Sequence, residues 1–297
     1  MYKIAHISDL HISKITLNPL QFLSKRWIGN LNLLLKRQKV YKSKQLWDLP
    51  SLFDDLNIQT VLVSGDITCT SYQKEFLLAK ELFSLIKKRD INIFLVPGNH
   101  DRYTKKSCKQ HRFYDFFTSS KIPSSHPSKH FTLKKERIEA RHLFDKWWYM
   151  GIDTSRATHW FSSQGYFSKE LENNFTKILS LIPEDAWIIL VNHFPFSQKE
   201  RRKNILKRGN ILKKLLQKNE KIKLYLHGHT HKHKISDLRK EKKLPIILDC
   251  GSTAHNEIGS WNLLELTKTG CYIQIYNWKR KENEGLWQKG KKVYFAF

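Results

Sequence analysis

The run Ile91-Asn92-Ile93-Phe94-Leu95-Val96-Pro97, followed at once by Gly98-Asn99-His100-Asp101, decides the fold. A short apolar run that stops at a glycine-containing turn reads as a buried strand, and here the turn carries an amide, an imidazole and a carboxylate. The same pattern recurs at residues 4–8, 60–64, 148–152, 187–191, 222–226 and 245–248. Between several of these runs lie helical stretches, such as 71–89, where Phe76, Ala79, Lys80, Phe83 and Ile86 fall near helical spacing, and 171–182. Strand alternating with helix predicts an α/β sandwich. After Pro245 only strands follow, and Thr267-Lys268-Thr269-Gly270 between 261–266 and 272–276 is a hairpin signal, so these last strands are expected to close a second sheet. With no internal repeat and no low-complexity linker, residues 1–297 read as a single domain.

Composition narrows the function. The chain has 53 Lys and Arg against 27 Asp and Glu, a net charge of +26, which must be offset by salt or by an anionic partner, with nucleic acid, anionic membrane and a phosphorylated ligand all open. Its 4 cysteines form no C-x-x-C pair, so neither a disulfide framework nor a zinc ribbon is written here, and a reducing compartment is expected. The start, Met1 to His6, leads into a strand without the basic and apolar regions of a secretory signal. No apolar run approaches the roughly 20 residues of a spanning helix.

Two basic stretches interrupt the alternation. Residues 12–47 hold eight basic side chains and no acidic one. Within them Asn18 and Pro19 suit a helix start, and Leu20, Leu23, Trp27, Leu31 and Leu34 follow 3- and 4-residue steps, with Lys25, Arg26 and Lys36 largely on other faces. This is a basic amphipathic helix, suited to packing on its own domain, to a membrane surface or to a partner. Residues 198–223 carry eleven basic side chains around Ile205, Leu212, Leu215 and Leu216, the pattern of a solvated helix face.

Five segments placed at the downstream ends of predicted strands carry the chemistry: Asp9-Leu10-His11, Gly65-Asp66, Gly98-Asn99-His100-Asp101, Asn192-His193 and Gly228-His229-Thr230-His231. In open α/β sheets the ligand crevice lies beyond the carboxyl ends of the strands, so these loops should converge. Carboxylate, amide oxygen and imidazole suit Mn, Fe or Zn, and a carboxylate shared between two ions holds them about 3.5 to 4 Å apart, as two-metal hydrolysis requires. His227 and His233 flank the last segment; His227 is read as the end of a strand, and Asn192 as structural.

In this order the segments resemble the signature of the calcineurin-like metallophosphoesterases, D-x-H, G-D, G-N-H-[DE], H and G-H-x-H, all without substitution. The resemblance implies that family's four-layer αββα sandwich, two mixed sheets flanked by helices. It assigns Asp9, His11 and His231 to one metal, Asn99, His193 and His229 to the other, and Asp66 to the bridge. It also makes His100 the acid near the leaving group, with Asp101 as its orienting partner. Two divalent cations are implied, Mn first, with Fe or Zn as alternatives.

The family acts on many phosphoesters, so specificity must come from inserts. Residues 23–32, Leu-Ser-Lys-Arg-Trp-Ile-Gly-Asn-Leu-Asn, with Lys36-Arg37-Gln38-Lys39, resemble the basic segment of bacterial calcineurin-like enzymes, the chlamydial type in particular, that hydrolyse UDP-2,3-diacylglucosamine in lipid A biosynthesis. That resemblance implies a nucleotide-lipid substrate and a monomer held peripherally at the cytoplasmic face of the inner membrane. Arg26, Trp27, Arg102, Arg201 and Arg202 are the candidate substrate contacts. The alternative is a nuclease or nucleotide phosphodiesterase, for which +26 and nine Trp would serve phosphate contact and base stacking.

Overall fold

The computed structural model describes residues 1–14, 40, 44–117, 131–159, 162–196, 204–281 and 284–297. The amphipathic helix read between Asn18 and Leu35, with Arg26 and Trp27, lies outside the described residues, as do Arg201 and Arg202.

One six-stranded sheet runs in the order β14-β13-β12-β1-β2-β3. Its parallel half is β1 (Tyr2–Ile7), β2 (Thr60–Val63) and β3 (Asn92–Leu95). Its antiparallel half is β12 (Ser260–Leu266), β13 (Gly270–Lys281) and β14 (Glu284–Ala296). The second six-stranded sheet runs β10-β11-β9-β7-β5-β4. Here β5 (Trp147–Ile152), β7 (Trp187–Val191), β9 (Ile222–His227) and β11 (Ile246–Cys250) are parallel, and β4 (Ile138–Phe144) and β10 (His233–Asp237) are antiparallel edges. A two-stranded pair, β6 (Gly165–Tyr166) and β8 (Leu206–Lys207), stands apart.

The last strands do not close the second sheet, contrary to the sequence reading. β12 pairs with β1 instead, Tyr2 opposite Leu266 and His6 opposite Asn262, and so extends the first sheet. Neighbourhood in sequence favours pairing with β11; the placement is decided by which faces are apolar. Trp261 on β12 packs edge to face on Phe53 and stacks on Tyr276, a contact reached only from the first sheet's helical side.

Two apolar layers account for the alternation read from the sequence. Ile189 and Val191 of β7 face the first sheet, sharing one core with Val61, Val63 and Leu264. Ile188 and Leu190 of the same strand face outward into a second core. A strand buried on both faces reads as a continuous apolar run, which is how these strands were visible. The first sheet is covered by α1 (Lys44–Trp47), α2 (Leu49–Asp55) and α3 (Gln73–Lys87), the last through Phe76, Ala79, Phe83 and Ile86. Short helices α4 (Lys105–Lys109) and α5 (Arg112–Phe116) add Phe113 to that layer. The second sheet is covered by α6 (Lys169–Leu181), capped by Ser168 and packed through Phe175 and Ile178, and by α7 (Gly209–Lys218), packed through Leu212 and Leu216. A last turn, α8 (Arg239–Lys242), precedes β11. Helix, sheet, sheet, helix is the four-layer order expected. Among the described residues no helix is long and apolar enough to cross a membrane.

Candidate metal centre

All five loops leave the carboxyl ends of parallel strands: β1, β2 and β3 from one sheet, β7 and β9 from the other. They meet between the sheets. Asp9 Oδ1 lies 3.0 Å from His231 Nε2 and 3.6 Å from His11 Nε2, and those two imidazole nitrogens are 3.1 Å apart. Asp66 Oδ2 lies 3.3 Å from His193 Nε2, which is also 3.2 Å from Asn99 Oδ1 and 3.3 Å from His229 Nδ1. The ligand atoms of Asp9, His11 and His231 lie within 4.8 Å of one another, as do those of Asp66, His193 and His229. The structure thus brings together all seven residues that the resemblance assigned to metals.

Outer partners fix the direction of the rings. His193 Nδ1 donates to the Ser64 carbonyl at 2.8 Å, so its Nε2 faces the cluster. His229 is turned the other way: Nε2 donates to the Asn204 carbonyl at 2.9 Å and Nδ1 faces inward. Backbone acceptors have no sequence signature, so neither carbonyl was legible beforehand.

The backbone is strained to achieve this. Asp9, His11, Asp66, His229 and His231 have φ of 53°, 43°, 52°, 71° and 57°, the left-handed region that non-glycine residues avoid, at about 1–3 kcal/mol each. Two glycines make room. A Cβ on Gly98 would stand 2.1 Å from Asp66 Oδ1, and one on Gly228 would stand 2.1 Å from Asp9 Oδ2.

The donors fit divalent cations. Asp9 Oδ1 is buried against the imidazole nitrogens of His231 and His11, while Asp9 Oδ2 accepts from Ser8 and from the His229 amide. Burial disfavours the charged carboxylate, yet His231 and His11 hold Asp9 well below the usual range. Asp66 is likewise held down, by His193 and His100 against the effect of burial. Burial alone would lower His193, but Asp66 carries it up to about 9; His229 is pushed down to about 4 by burial and by His193. Two buried carboxylates facing four imidazoles are a set that a cation would satisfy.

His100 stands at the edge of this cluster. Its backbone N–H donates to Asp66 Oδ1 at 2.8 Å, its Nδ1 pairs with the Cys69 carbonyl at 2.5 Å, and its ring stacks on Tyr103 with centroids 5.3 Å apart. One of its ring nitrogens comes within 4.8 Å of ligand atoms of His11 and Asp66.

Two expectations are corrected. Asp101 does not serve as the partner that orients the His100 ring, a role taken by the Cys69 carbonyl. Its Oδ2 accepts the amides of Gly98 and Ile67, and its Oδ1 accepts the Thr68 amide and hydroxyl, so it ties the β2 and β3 loops together. Burial and the neighbouring Asp66 push that carboxyl up to about 7. Arg102 does not line the mouth as a phosphate contact. Its guanidinium lies 2.7 Å from Asp153 and 2.8 Å from the Cys108 sulfur and is 13% exposed. Asp153 also takes Arg137 and Tyr114, a buried cluster that claims the Arg102 guanidinium for itself. His227 ends β9, and Asn192 bonds Thr154, Tyr225 and the Phe194 carbonyl, both as read.

No curated protein matches this chain in sequence. Among solved structures, a dimetal phosphatase from Danio rerio shares 13% identity over 96% of this chain and 98% of its own, with a TM-score of 0.62. A purple acid phosphatase from yellow lupin, Lupinus luteus, shares 12% identity over 99% of this chain and 53% of its own, with a TM-score of 0.65. These likenesses establish the fold. The model of the family described as calcineurin-like phosphoesterase matches residues 2–233. The chain belongs to that family and is a metal-dependent phosphoesterase.

Proposed function

We propose that the protein is a dinuclear-metal hydrolase that splits the pyrophosphate of UDP-2,3-diacylglucosamine into UMP and 2,3-diacylglucosamine 1-phosphate. The observation that carries the hydrolase is the meeting of Asp9, His11 and His231 with Asp66, His193 and His229 in two adjoining donor sets. The lipid substrate is supported by the resemblance of residues 23–32 and 36–39 and by the charge of +26, which suits phosphates at an anionic membrane surface.

When bound, a pair of divalent cations, Mn first, supplies Lewis acidity and acidifies water toward hydroxide near neutral pH. The chain's own part is placement. Asp66, grouped with His193 and His229 on one side and with His11 on the other, sets one donor group against the other, and Asp101 keeps the loops that carry Asp66 and Asn99 in register. His100 donates its Nδ1–H to the Cys69 carbonyl, which fixes the ring; as an imidazolium it would pass its Nε2 proton to the departing oxygen and be left neutral.

The test is a Mn²⁺-supplemented assay of purified protein on UDP-2,3-diacylglucosamine, single-stranded DNA and an aryl phosphodiester in parallel. Release of UMP from the lipid, without nucleotides from DNA, is the expected result. Cleavage of DNA with the lipid untouched replaces this reading with a nuclease.

A further inference from the structure

On the far side of the Gly228–His231 loop from the metal centre, a groove of about 470 Å³ runs between α7 and the outer face of β9, β10 and β11. Its volume lies within the roughly 300–1,000 Å³ range of small-molecule sites. Phe196, Leu238, Leu244 and Ile247 give it apolar walls, and Lys213, Lys234 and Lys242 stand around it. None of these three lysines has an acidic partner among the ion pairs of the described residues, whereas Lys221 and Lys292 each have one. The acid in the groove, Asp249, is buried and already committed: it accepts from the Thr230 hydroxyl and from the Gly251 amide and faces His227 at 3.8 Å. Three uncompensated ammonium groups therefore share one apolar trough. Lysine stems lie along apolar surface and hold their charge at the edge, so such a trough is complementary to a chain with an anion at one end.

The groove is continuous with the catalytic loops. His227 precedes Gly228-His229, and Phe196 leads from His193 through its contact with Tyr225, whose ring is 5.8 Å from His227. We infer that this groove binds one anionic lipid, an acyl chain lying on Leu238 and Ile247 above the buried Phe196 and Leu244, and its phosphate among Lys213, Lys234 and Lys242. The site is separate from the metals. It would hold the protein against an anionic leaflet beside its reaction centre, whichever phosphoester that centre cleaves.

The probe is myristoyl lysophosphatidic acid below its micellar concentration, titrated into the full-length protein loaded with Mn²⁺. Inorganic phosphate and monomyristoylglycerol are the head-only and chain-only controls. Binding of one molecule per chain is expected, with affinity at least about tenfold above either control. I247W, which fills the floor, and the triple charge reversal K213E/K234E/K242E should each weaken it by about tenfold or more. Turnover of an aryl phosphodiester should be unchanged in both variants, which shows that they fold, and unchanged by saturating lipid. Affinity that I247W leaves intact, or binding that inorganic phosphate matches, overturns the site. So does lipid that competes with the aryl diester, because it then lies on the metals.

Discussion

Asp66 links the two sheets at the candidate metal centre, its Oδ2 lying 3.3 Å from His193 Nε2 while its Oδ1 holds the His100 amide at 2.8 Å. One carboxylate thus contacts an imidazole from the second sheet and the loop that carries His100 from the first. Asp66→Asn should reduce turnover to background and bring metal content below two ions per chain, measured by elemental analysis after gel filtration. Near-normal activity with both ions retained would remove Asp66 from the bridge.

His100→Asn separates proton transfer from metal binding. The metal content should stay intact while kcat falls by about 10²- to 10⁴-fold, since a positioned general acid contributes that much. The loss should be smaller for a substrate with an acidic leaving group such as p-nitrophenol, which departs without a proton. If metal is lost in step with activity, the grouping of His100 with His11 and Asp66 is a ligand set.

Gly98→Ala tests close packing under the bridge. The added methyl carbon would sit 2.1 Å from Asp66 Oδ1 and 2.5 Å from the Asp66 amide, both rigidly held. A cost of about 1–3 kcal/mol in stability is expected, as for other overpacked sites, together with weaker metal retention. Urea unfolding and a chelator titration read the two effects separately. Unchanged midpoints in both would mean that the loop yields freely.

Acid stability is predicted from Asp153, which is held by Arg102 and Arg137 and not by the candidate metal ligands. Burial would raise its carboxyl, but Arg137 and Arg102 hold it down at about 2, against an ordinary 3.8. A group depressed in the folded state contributes stability above its unfolded pKa and loses it as pH falls from about 4 to about 2. The amount is on the order of 2 kcal/mol. Urea midpoints between pH 6 and pH 2.5 should fall more steeply in the native protein than in Asp153→Asn, which starts lower. Arg102→Ala should lower the melting temperature with KM for the aryl diester unchanged; a raised KM would restore Arg102 to the substrate.

Much of this was visible in the sequence because strands buried on both faces leave uninterrupted apolar runs, and because the ligand-bearing loops follow those runs directly. β4, β10 and β14 were not visible. They are sheet edges, and strands such as His233–Asp237 and Glu284–Ala296 mix exposed lysines with apolar residues and show no clean period. At the centre, residue types announced the donors but not their supports: the carbonyls of Ser64, Cys69 and Asn204 could come from any side chain. Asp101 and Arg102 were misread for the same reason. A carboxylate and a guanidinium beside a reactive loop look alike whether they face the substrate or the backbone behind it, and only burial tells them apart.

The left-handed turns at Asp9, His11, Asp66, His229 and His231 set a limit on how this chain can be improved. Each is a place where glycine would relax the main chain and where glycine would delete a donor. The positions at which heat resistance is most readily gained are therefore those at which the chemistry would be lost, and a lineage that ceased to need catalysis would be free to settle there first.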